Sequence, residues 1–245
     1  EDDAVRAVIF TGSGTRAFCA GADLTPEGGG HVFSDPSEVD DLSDPKVRDG
    51  GGLLTLRLFE SKKPLIAACN GVAVGVGATM QLAMDIRLAS STARYGFVFA
   101  RRGIVPEAAS SWFLPRIVGI SQALEWCYTG KVFDAEEAKA GGLVRSIHEP
   151  AGPMLGAPTI AREIADNTSA ISVAMTRAMM WRNMNADHPM EAHKVDSRAI
   201  YRLSRGLDAK EGIASFLEKR PPEYPGRVSR HMPDFYPWWE EREYE

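Results

Sequence analysis

The sequence has few cysteines and no long apolar run. Its three cysteines, Cys19, Cys69 and Cys127, are an odd number at wide spacings inside apolar segments. This pattern argues against a disulfide framework or a zinc site and favours small core residues in a reducing compartment. No apolar run approaches the roughly 20 residues that cross a bilayer, and the acidic start, Glu1-Asp2-Asp3, is unlike that of a signal peptide. We therefore expect a cytoplasmic protein with no membrane partner.

Concentrated positive charge is also missing. The formal net charge is -5, and basic residues occur in no run longer than a pair, such as Arg101-Arg102, so the chain lacks the basic stripe of a DNA- or RNA-binding protein. The histidines offer no metal-ligand spacing, because His188 and His193 are five positions apart and do not share a helix face at i, i+4. We predict no nucleic-acid partner and no metal site.

Three nucleotide-binding and hydrolase motifs are absent as well. The chain has no Gly-x-x-x-x-Gly-Lys-Ser/Thr loop, and the glycines between Gly71 and Gly77 lack the Gly-x-Gly-x-x-Gly order of a dinucleotide site. It also has no Gly-x-Ser-x-Gly elbow. The glycine-rich turns therefore need another explanation.

The sequence does contain two copies of one pattern, in which a strand is followed by a glycine turn and a stretch of small residues. The first strand is predicted at residues 5–10 and the second at 64–69, each short, apolar and closed by a turn. The small-residue stretches that follow are 20–23 and 75–78, the second leading into a helix that runs through Met84. Further strands at 86–89, 95–98 and 143–147 alternate with helical patterns, which predicts an α/β fold with parallel pairing.

Three other segments have a distinct character. Residues 25–52 carry two triple glycines and little periodic apolar content, which predicts a mobile loop. Helices are predicted from about residue 157, and the pairs Asp134/Glu137 and Asp208/Glu211 have the three-residue spacing of capping boxes. The tail from 221 onward is rich in proline and ends in four aromatic residues at 235–239, so we expect it to pack on its own body or on a neighbouring subunit.

The motifs resemble the crotonase (enoyl-CoA hydratase/isomerase) family in their order and spacing. The segments that carry the resemblance are FCAGADL at 18–24, KPLIAACNGVAVGVG at 63–77, LAMDIRLA at 82–89, GIVP at 103–106, GGLV at 141–144 and EGIASFLEKR at 211–220. The resemblance covers about residues 4–220. It implies the α/β crotonase (ClpP-like) ββα superhelix with a C-terminal helical trimerisation region.

The same resemblance implies a division of the chain and its partners. It predicts a crotonase core at 1–150, a helical region at 151–220 and an aromatic, proline-rich tail at 221–245, with the family's usual first strands and first helix missing ahead of Glu1. The implied partners are an acyl-CoA substrate and further copies in a homotrimer or homohexamer. No cofactor is expected, since coenzyme A is part of the substrate.

The resemblance also assigns two backbone donors to catalysis. When a proton leaves the carbon next to a thioester, charge moves onto the carbonyl oxygen, and each fixed N–H about 3 Å away contributes roughly 3 kcal/mol. By resemblance these donors are the N–H groups of Ala22 and Val76, the second placed near the start of the helix toward Met84, whose dipole adds to the effect. The alternative is that the small residues only make tight turns.

The acid and base residues depart from the hydratase pattern. The two glutamates of typical hydratases correspond here to Thr79 and Phe99, so both carboxylates are lost. Glu107, in Gly-Ile-Val-Pro-Glu, resembles the single catalytic glutamate of peroxisomal-type enoyl-CoA isomerases. Its apolar neighbours, among them Val105 and Trp112, are expected to raise its pKa. The alternative is a glutamate that only favours the start of a helix, and Arg101-Arg102 either pair with it or face solvent.

Substrate contacts follow from the resemblance too. The loop of Ala20, Ala22, Asp23 and Leu24 is expected to bind the adenine of CoA through its backbone. Lys219 matches a lysine that approaches the 3′-phosphate from a neighbouring subunit, with Phe216 in the same helix; the alternative for Lys219 is a solvated surface lysine. Trp112 and Phe99 either line the acyl pocket or belong to the core.

These expectations favour one reaction and leave others open. The favoured reaction is the shift of an enoyl-CoA double bond from carbon 3 to carbon 2. Alternatives are hydration or another crotonase reaction such as hydrolysis or decarboxylation. An alternative of another class is a non-catalytic acyl-CoA-binding protein, suggested by the loss of both hydratase glutamates.

Overall fold

The computed structural model describes residues 2–25, 41–150 and 154–244. Predictions that concern Glu1, His31 and the part of the predicted loop at 26–40 lie outside these residues. The chain forms two compact units: residues 9–59, 66–157 and 242–245 make up the site-bearing unit, and residues 1–8, 60–65 and 158–241 make up the helical unit.

In the part of the chain that the structure describes, eight strands form two four-stranded sheets. They are β1 (Val8–Thr11), β2 (Ala17–Cys19), β3 (Leu65–Cys69), β4 (Val72–Val74), β5 (Ile86–Ser90), β6 (Arg94–Gly96), β7 (Val132–Asp134) and β8 (Ser146–His148). One sheet has the order β1-β3-β5-β8 and the other β2-β4-β6-β7. The pairs β3–β5, β5–β8, β2–β4 and β4–β6 are parallel, which confirms the predicted parallel pairing; β6–β7 is antiparallel.

Ten α-helices connect and follow these strands in the described residues. They are α1 (Gly50–Phe59), α2 (Val76–Thr79), α3 (Ser110–Val118), α4 (Ile120–Thr129), α5 (Ala135–Ala140), α6 (Ala157–Asn167), α7 (Ala170–Asn183), α8 (Pro189–Leu203), α9 (Leu207–Glu218) and α10 (Val228–His231). None of the helices in the described parts of the chain is both long and apolar enough to cross a membrane.

The core of the site-bearing unit is built on β3. All five of its residues are buried, as expected for a strand of a parallel sheet that is covered on both faces. Cys69 belongs to this strand, and burial raises the pKa of its thiol to about 11. Cys19, Cys69 and Cys127 are all free, which agrees with the prediction that they form no disulfide.

The helical unit covers itself with the aromatic tail. Met232, Phe235, Tyr236 and Trp238 pack against the buried side chains of α7 and α8, and the guanidinium of Arg182 lies 4.0 Å from the Trp239 ring centroid. Burying large aromatic rings in this way removes apolar area that would otherwise face water. The prediction that the tail packs on its own body is confirmed.

Two local predictions are wrong. Residues 50–52 do not belong to a loop, because they form the first turn of α1. The predicted helix through Met84 is only one α-helical turn, α2, followed by a 3-10 helix at Met80–Ala83. The macrodipole sums over aligned peptide units, so its contribution at Val76 is smaller than predicted.

The two predicted caps have different outcomes. Asp134 caps α5, since its carboxylate accepts a hydrogen bond from the Glu137 N–H at 2.9 Å. Asp208 does not cap α9, which begins after Gly206 without a side-chain cap. The Asp208 carboxylate instead accepts hydrogen bonds from the Gly226 N–H (2.8 Å) and the Ser169 hydroxyl. Tertiary contacts with the tail thus replace the local role.

Candidate active site

The two glycine-rich turns meet at one edge of the second sheet. Strands β2 and β4 are parallel neighbours, so their carboxyl ends lie side by side, and each is followed by a glycine with positive φ: Gly21 at +90° and Gly75 at +55°. A Cβ built on Gly21 falls 3.0 Å from the Val74 carbonyl oxygen, and one built on Gly77 falls 2.0 Å from the Cys19 carbonyl oxygen. The two backbones therefore touch without intervening side chains.

Asn70 fixes the turn that precedes β2. Its Oδ1 accepts the Gly12 N–H at 2.9 Å, and its Nδ2 donates to the Gly12 and Gly14 carbonyls at 3.1 and 2.8 Å. Asn70 is buried, and a buried amide with satisfied partners holds its neighbours firmly. Asn70, directly after β3, thus binds the turn that connects β1 to β2.

Two backbone donors remain open at this edge. Val76 is the first residue of α2, so its N–H has no acceptor within the helix, and Ala22 follows Gly21 in an exposed bend. Neither N–H donates to another of the residues that the structure describes. Open backbone N–H groups beside each other can bind an oxygen that carries negative charge.

Glu107 lies in the turn that leads into α3. The residues after it, Ala108 and Ala109, have φ values of +58° and +51°, a left-handed conformation that side-chain-bearing residues seldom adopt. Its carboxylate does not cap the helix; Oε1 accepts the Thr79 hydroxyl at 2.5 Å. The side chain thus points toward α2 and does not serve the start of α3.

The surroundings of Glu107 make it a stronger base than a free glutamate. Burial raises the pKa of this half-buried carboxyl, the Thr79 hydrogen bond lowers it, and the negative charge of Asp49 and a hydrogen bond with Asp49 raise it, with a net increase above the usual value. The direction agrees with the prediction. The cause differs in part, because Val105 is 78% exposed and cannot contribute to the burial.

The two positions that lack the hydratase glutamates are both buried. Thr79 is fully buried and holds the Glu107 carboxylate. Phe99 is 5% exposed and belongs to the core. Trp112 is half-buried and packs edge-on against Phe59 and Phe113, with ring centroids 5.8 and 4.7 Å away.

The predicted alternatives for charged neighbours are also resolved. Arg101 does not approach Glu107; its Nε donates to the Thr129 carbonyl at 2.8 Å and the residue is exposed. His188 caps α8 by accepting the Met190 N–H at 3.1 Å. No cluster of metal-binding side chains occurs among the described residues.

The residues assigned to CoA lie in two places. Ala20, Asp23 and Leu24 are exposed in the turn after β2. There the Asp23 carboxylate accepts the Thr25 N–H and hydroxyl at 3.0 and 2.8 Å, which lowers the pKa of Asp23. Phe216 and Lys219 belong to the helical unit: Phe216 is 80% exposed on α9, and Lys219 follows the helix with a φ of +54°.

Sequence reasoning missed the contribution of α1. Asp49, Gly51 and Thr55 contact Glu107 or the residue after it, although Asp49 and Gly51 come from the segment predicted as a loop. The sequence carries little signal for this helix start, because three glycines, which disfavour a helix, separate Asp49 from the apolar residues that begin at Leu53.

Comparisons with known proteins agree with the motifs. The sequence model of the "Enoyl-CoA hydratase/isomerase" family matches residues 1–227. An enoyl-CoA hydratase of Alternaria alternata is 43% identical over 224 residues, which are 91% of this chain and 72% of that protein. A 1,2-epoxyphenylacetyl-CoA isomerase of Escherichia coli is 30% identical over 230 residues, covering 92% of this chain and 83% of that protein.

Solved structures give the same result for the fold. The crystal structure of an enoyl-CoA hydratase from Bacillus anthracis matches with a TM-score of 0.78 and 32% identity, over 91% of this chain and 82% of that one. The predicted crotonase fold is therefore confirmed.

Proposed function

The chain belongs to the enoyl-CoA hydratase/isomerase family, and we propose that within it the protein is an enoyl-CoA isomerase that moves a double bond from carbon 3 to carbon 2. The observation that carries this proposal is the position of Glu107. Its carboxylate is held by Thr79, at the position where the resemblance implies a hydratase glutamate, and burial raises its pKa. One carboxylate suffices to remove a proton and return it.

The proposed mechanism has two proton transfers. The thioester carbonyl oxygen accepts hydrogen bonds from the N–H groups of Ala22 and Val76. The Glu107 carboxylate removes a proton from carbon 2, and the electron pair delocalises through the carbonyl onto its oxygen, where each donor contributes about 3 kcal/mol. The carboxylic acid of Glu107 then returns the proton to carbon 4, the double bond forms between carbons 2 and 3, and the oxygen loses its charge.

The raised pKa of Glu107 suits both steps. A base is most effective when its pKa lies near the working pH, because it must accept a proton readily and then release it. Burial moves the carboxyl in this direction. Both proton transfers use the same side chain, so the proposed reaction requires no cofactor besides the CoA of the substrate.

We also propose substrate and subunit contacts on the same basis. Ala20, Ala22, Asp23 and Leu24 would bind the adenine through the backbone. Lys219 would attract the 3′-phosphate with its charge, with Phe216 contributing from the helix before it. A homotrimer or homohexamer is supported by large apolar side chains on α8 and α9 that are 62–80% exposed, namely Ile200, Tyr201, Leu207, Ile213, Phe216 and Leu217.

Hydration is the second candidate function. It is favoured by relatives such as the Alternaria alternata protein, which is named a hydratase, and by Asp49, a second carboxylate whose charge acts on Glu107. Two carboxylates can together position and activate a water. In this chain, however, Asp49 already accepts two backbone N–H groups.

The test offers trans-2-enoyl-CoA and 3-enoyl-CoA esters to the wild type and to Glu107→Gln, with hydration and isomerisation followed separately. We expect isomerisation by the wild type and a loss of about 10²–10⁴-fold in Glu107→Gln. Glu136→Gln, an exposed glutamate in the first turn of α5, is the matched control and should keep full activity.

Other outcomes would reject the isomerase proposal. Fast hydration by the wild type would establish the second candidate. Release of free CoA would indicate a hydrolase, and tight thioester binding without any product would indicate a binding protein.

A further inference from the structure

The Glu107 carboxylate lies directly on the backbone of α1. A Cβ built on Gly51 falls 1.8 Å from Glu107 Oε2 and 2.9 Å from its Cδ, whereas a Cβ built on the adjacent Gly50 meets nothing within 4 Å. Both glycines belong to the first turn of the same helix. Of these two, only Gly51 is therefore required to be glycine, and the nearest obstacle is the carboxylate, followed by the Ala108 Cβ at 3.1 Å.

The residue after Glu107 is held by the same helix at both of its backbone groups. Asp49 Oδ1 accepts the Ala108 N–H at 3.0 Å, and the buried Thr55 hydroxyl donates to the Ala108 carbonyl at 2.9 Å. Ala108 has a φ of +58°, a conformation that costs about 1–3 kcal/mol and persists only when its surroundings enforce it. Helix α1 supplies that enforcement.

Asp49 also starts the helix that it connects to Glu107. Its carbonyl accepts the Leu53 N–H at 3.1 Å, and its carboxylate accepts the Gly52 N–H, which are the two features of an N-cap. One carboxylate thus fixes both the first turn of α1 and the turn that carries Glu107. Movement of either segment would move the other.

Few structural elements place a charged or hydrogen-bonding side chain near the Glu107 carboxylate. Asp49 faces it from the start of α1, Thr79 faces it from α2 as a neutral donor, and Arg101 on the preceding turn donates elsewhere. Asp49 is exposed, so solvent screens part of its field. In the described residues, Asp49 is the charged neighbour that acts on Glu107.

We propose that the N-terminal half of α1, through Gly51, Thr55 and the preceding Asp49, is a support that positions Glu107 for proton transfer. Asp49 is a positioning residue, and Gly51 provides the space that the carboxylate occupies. The inference rests on the proposed role of Glu107 as the base, and it adds residues that lie outside the glycine-rich segments and the glutamate already assigned.

The first test compares Gly51→Ala with Gly50→Ala. The new methyl group at position 51 must displace the carboxylate, which is the flexible end of a side chain, so we expect the protein to fold. Because a displacement of about 1 Å can cost about 10²-fold in rate, kcat of Gly51→Ala should fall by about that factor with little change in KM. Gly50→Ala should stay within about twofold, as expected for an open helix position.

The second test separates the charge of Asp49 from its hydrogen bonds. Asp49→Asn keeps an oxygen acceptor but removes the negative charge that disfavours ionised Glu107. The pKa of Glu107 should then fall, and the acid limb of the kcat/KM profile should move to lower pH. Asp49→Ala also loses the acceptor, and its kcat should fall about tenfold or more, whereas Asp49→Asn should keep most of kcat.

The outcomes distinguish this inference from the proposed function. One outcome is that Glu107→Gln is inactive, Gly51→Ala behaves like Gly50→Ala, and the acid limb of Asp49→Asn does not move. The support of Glu107 by α1 is then rejected, while the role of Glu107 as the base is retained. If Glu107→Gln isomerises at the wild-type rate, the proposed function fails and this inference fails with it.

Discussion

Helices α1 and α2 both begin in glycine-rich segments, yet their first turns do opposite things. At α2 the N-cap is Gly75, and the N–H of the first helical residue, Val76, donates to none of the other described residues. At α1 the preceding residue is Asp49, whose carboxylate accepts the Gly52 and Ala108 N–H groups. The first turn of α2 thus presents an open donor, whereas that of α1 is bound to Asp49 through Gly52 and leaves space for the Glu107 carboxylate at Gly51.

The difference teaches what glycine contributes in each place. Gly75 is needed for a backbone conformation, because its φ is +55°. Gly51 is needed because a carboxylate occupies the space of its missing side chain. A composition rich in glycine therefore does not identify a site; the residue before the helix and the group opposite it decide the role.

Among variants at the two glycine-rich helix starts, the largest effect is expected at the donor edge, where the Ala22 and Val76 N–H groups lie. Gly21→Ala places a Cβ 3.0 Å from the Val74 carbonyl oxygen, at a φ of +90°, and should shift the Ala22 N–H away from the substrate oxygen. The loss of one such donor costs about 10²–10³-fold in kcat, which steady-state kinetics would measure. Gly14→Ala is the control, because Gly14 has a φ of +73° but open space around it. Equal kcat losses in both variants would mean that backbone strain, and not the donor, is responsible.

A smaller effect is expected at Thr79, the last residue of α2, whose hydroxyl donates to Glu107. Thr79→Val removes the hydrogen bond that favours ionised Glu107, so the pKa of Glu107 should rise. The base must be ionised to act, and the acid limb of the pH profile should therefore move to higher pH, opposite to Asp49→Asn. Near neutral pH kcat should fall about tenfold. Thr79→Ser keeps the hydroxyl and should stay close to wild type; a shift of Thr79→Val to lower pH would reverse the assigned sign.

The smallest effect on activity is expected at Asp134, the N-cap of α5, which has no proposed role in catalysis. Asp134→Ala removes the cap of α5 and should lower the free energy of unfolding by about 1 kcal/mol, as measured by urea denaturation, with kcat unchanged. Asp49→Ala removes a cap of the same kind and should lower kcat as well. If both variants changed stability alone, α1 would be an ordinary capped helix and no support for Glu107.

The sequence predicted the fold of the two glycine-rich segments better than that of the start of α1. Strand β3 and the two small-residue segments have local signatures, namely a fully apolar run and glycines at fixed positions after strands, and they fold as expected. The start of α1 has no such signature, because three consecutive glycines disfavour a helix. What stabilises it is its contact with Ala108, 53 positions beyond Thr55, and such long-range contacts are not visible in a single sequence.

Asp208 and Glu107 both show that long-range contacts limit what can be predicted from the sequence. Asp208 has the spacing of a cap, but the tail uses its carboxylate, so the local pattern misled. For Glu107 the apolar neighbours predicted the direction of its pKa, whereas its partners Thr79 and Asp49 come from the end of α2 and from the residue before α1. The residue type was readable from the sequence; the contacts that tune it were not.

The most direct test of the central claim is the exchange of the carbon 2 protons of a 3-enoyl-CoA ester in D₂O, followed by NMR. The acid form of Glu107 exchanges its proton with solvent and then protonates the dienolate at carbon 4 or, in the reverse step, at carbon 2. The account therefore predicts that the wild type incorporates deuterium at these carbons and forms the 2-enoyl ester, while Glu107→Gln binds the ester with unchanged affinity and does neither. Incorporation by Glu107→Gln at the wild-type rate would contradict the assignment of Glu107 as the base.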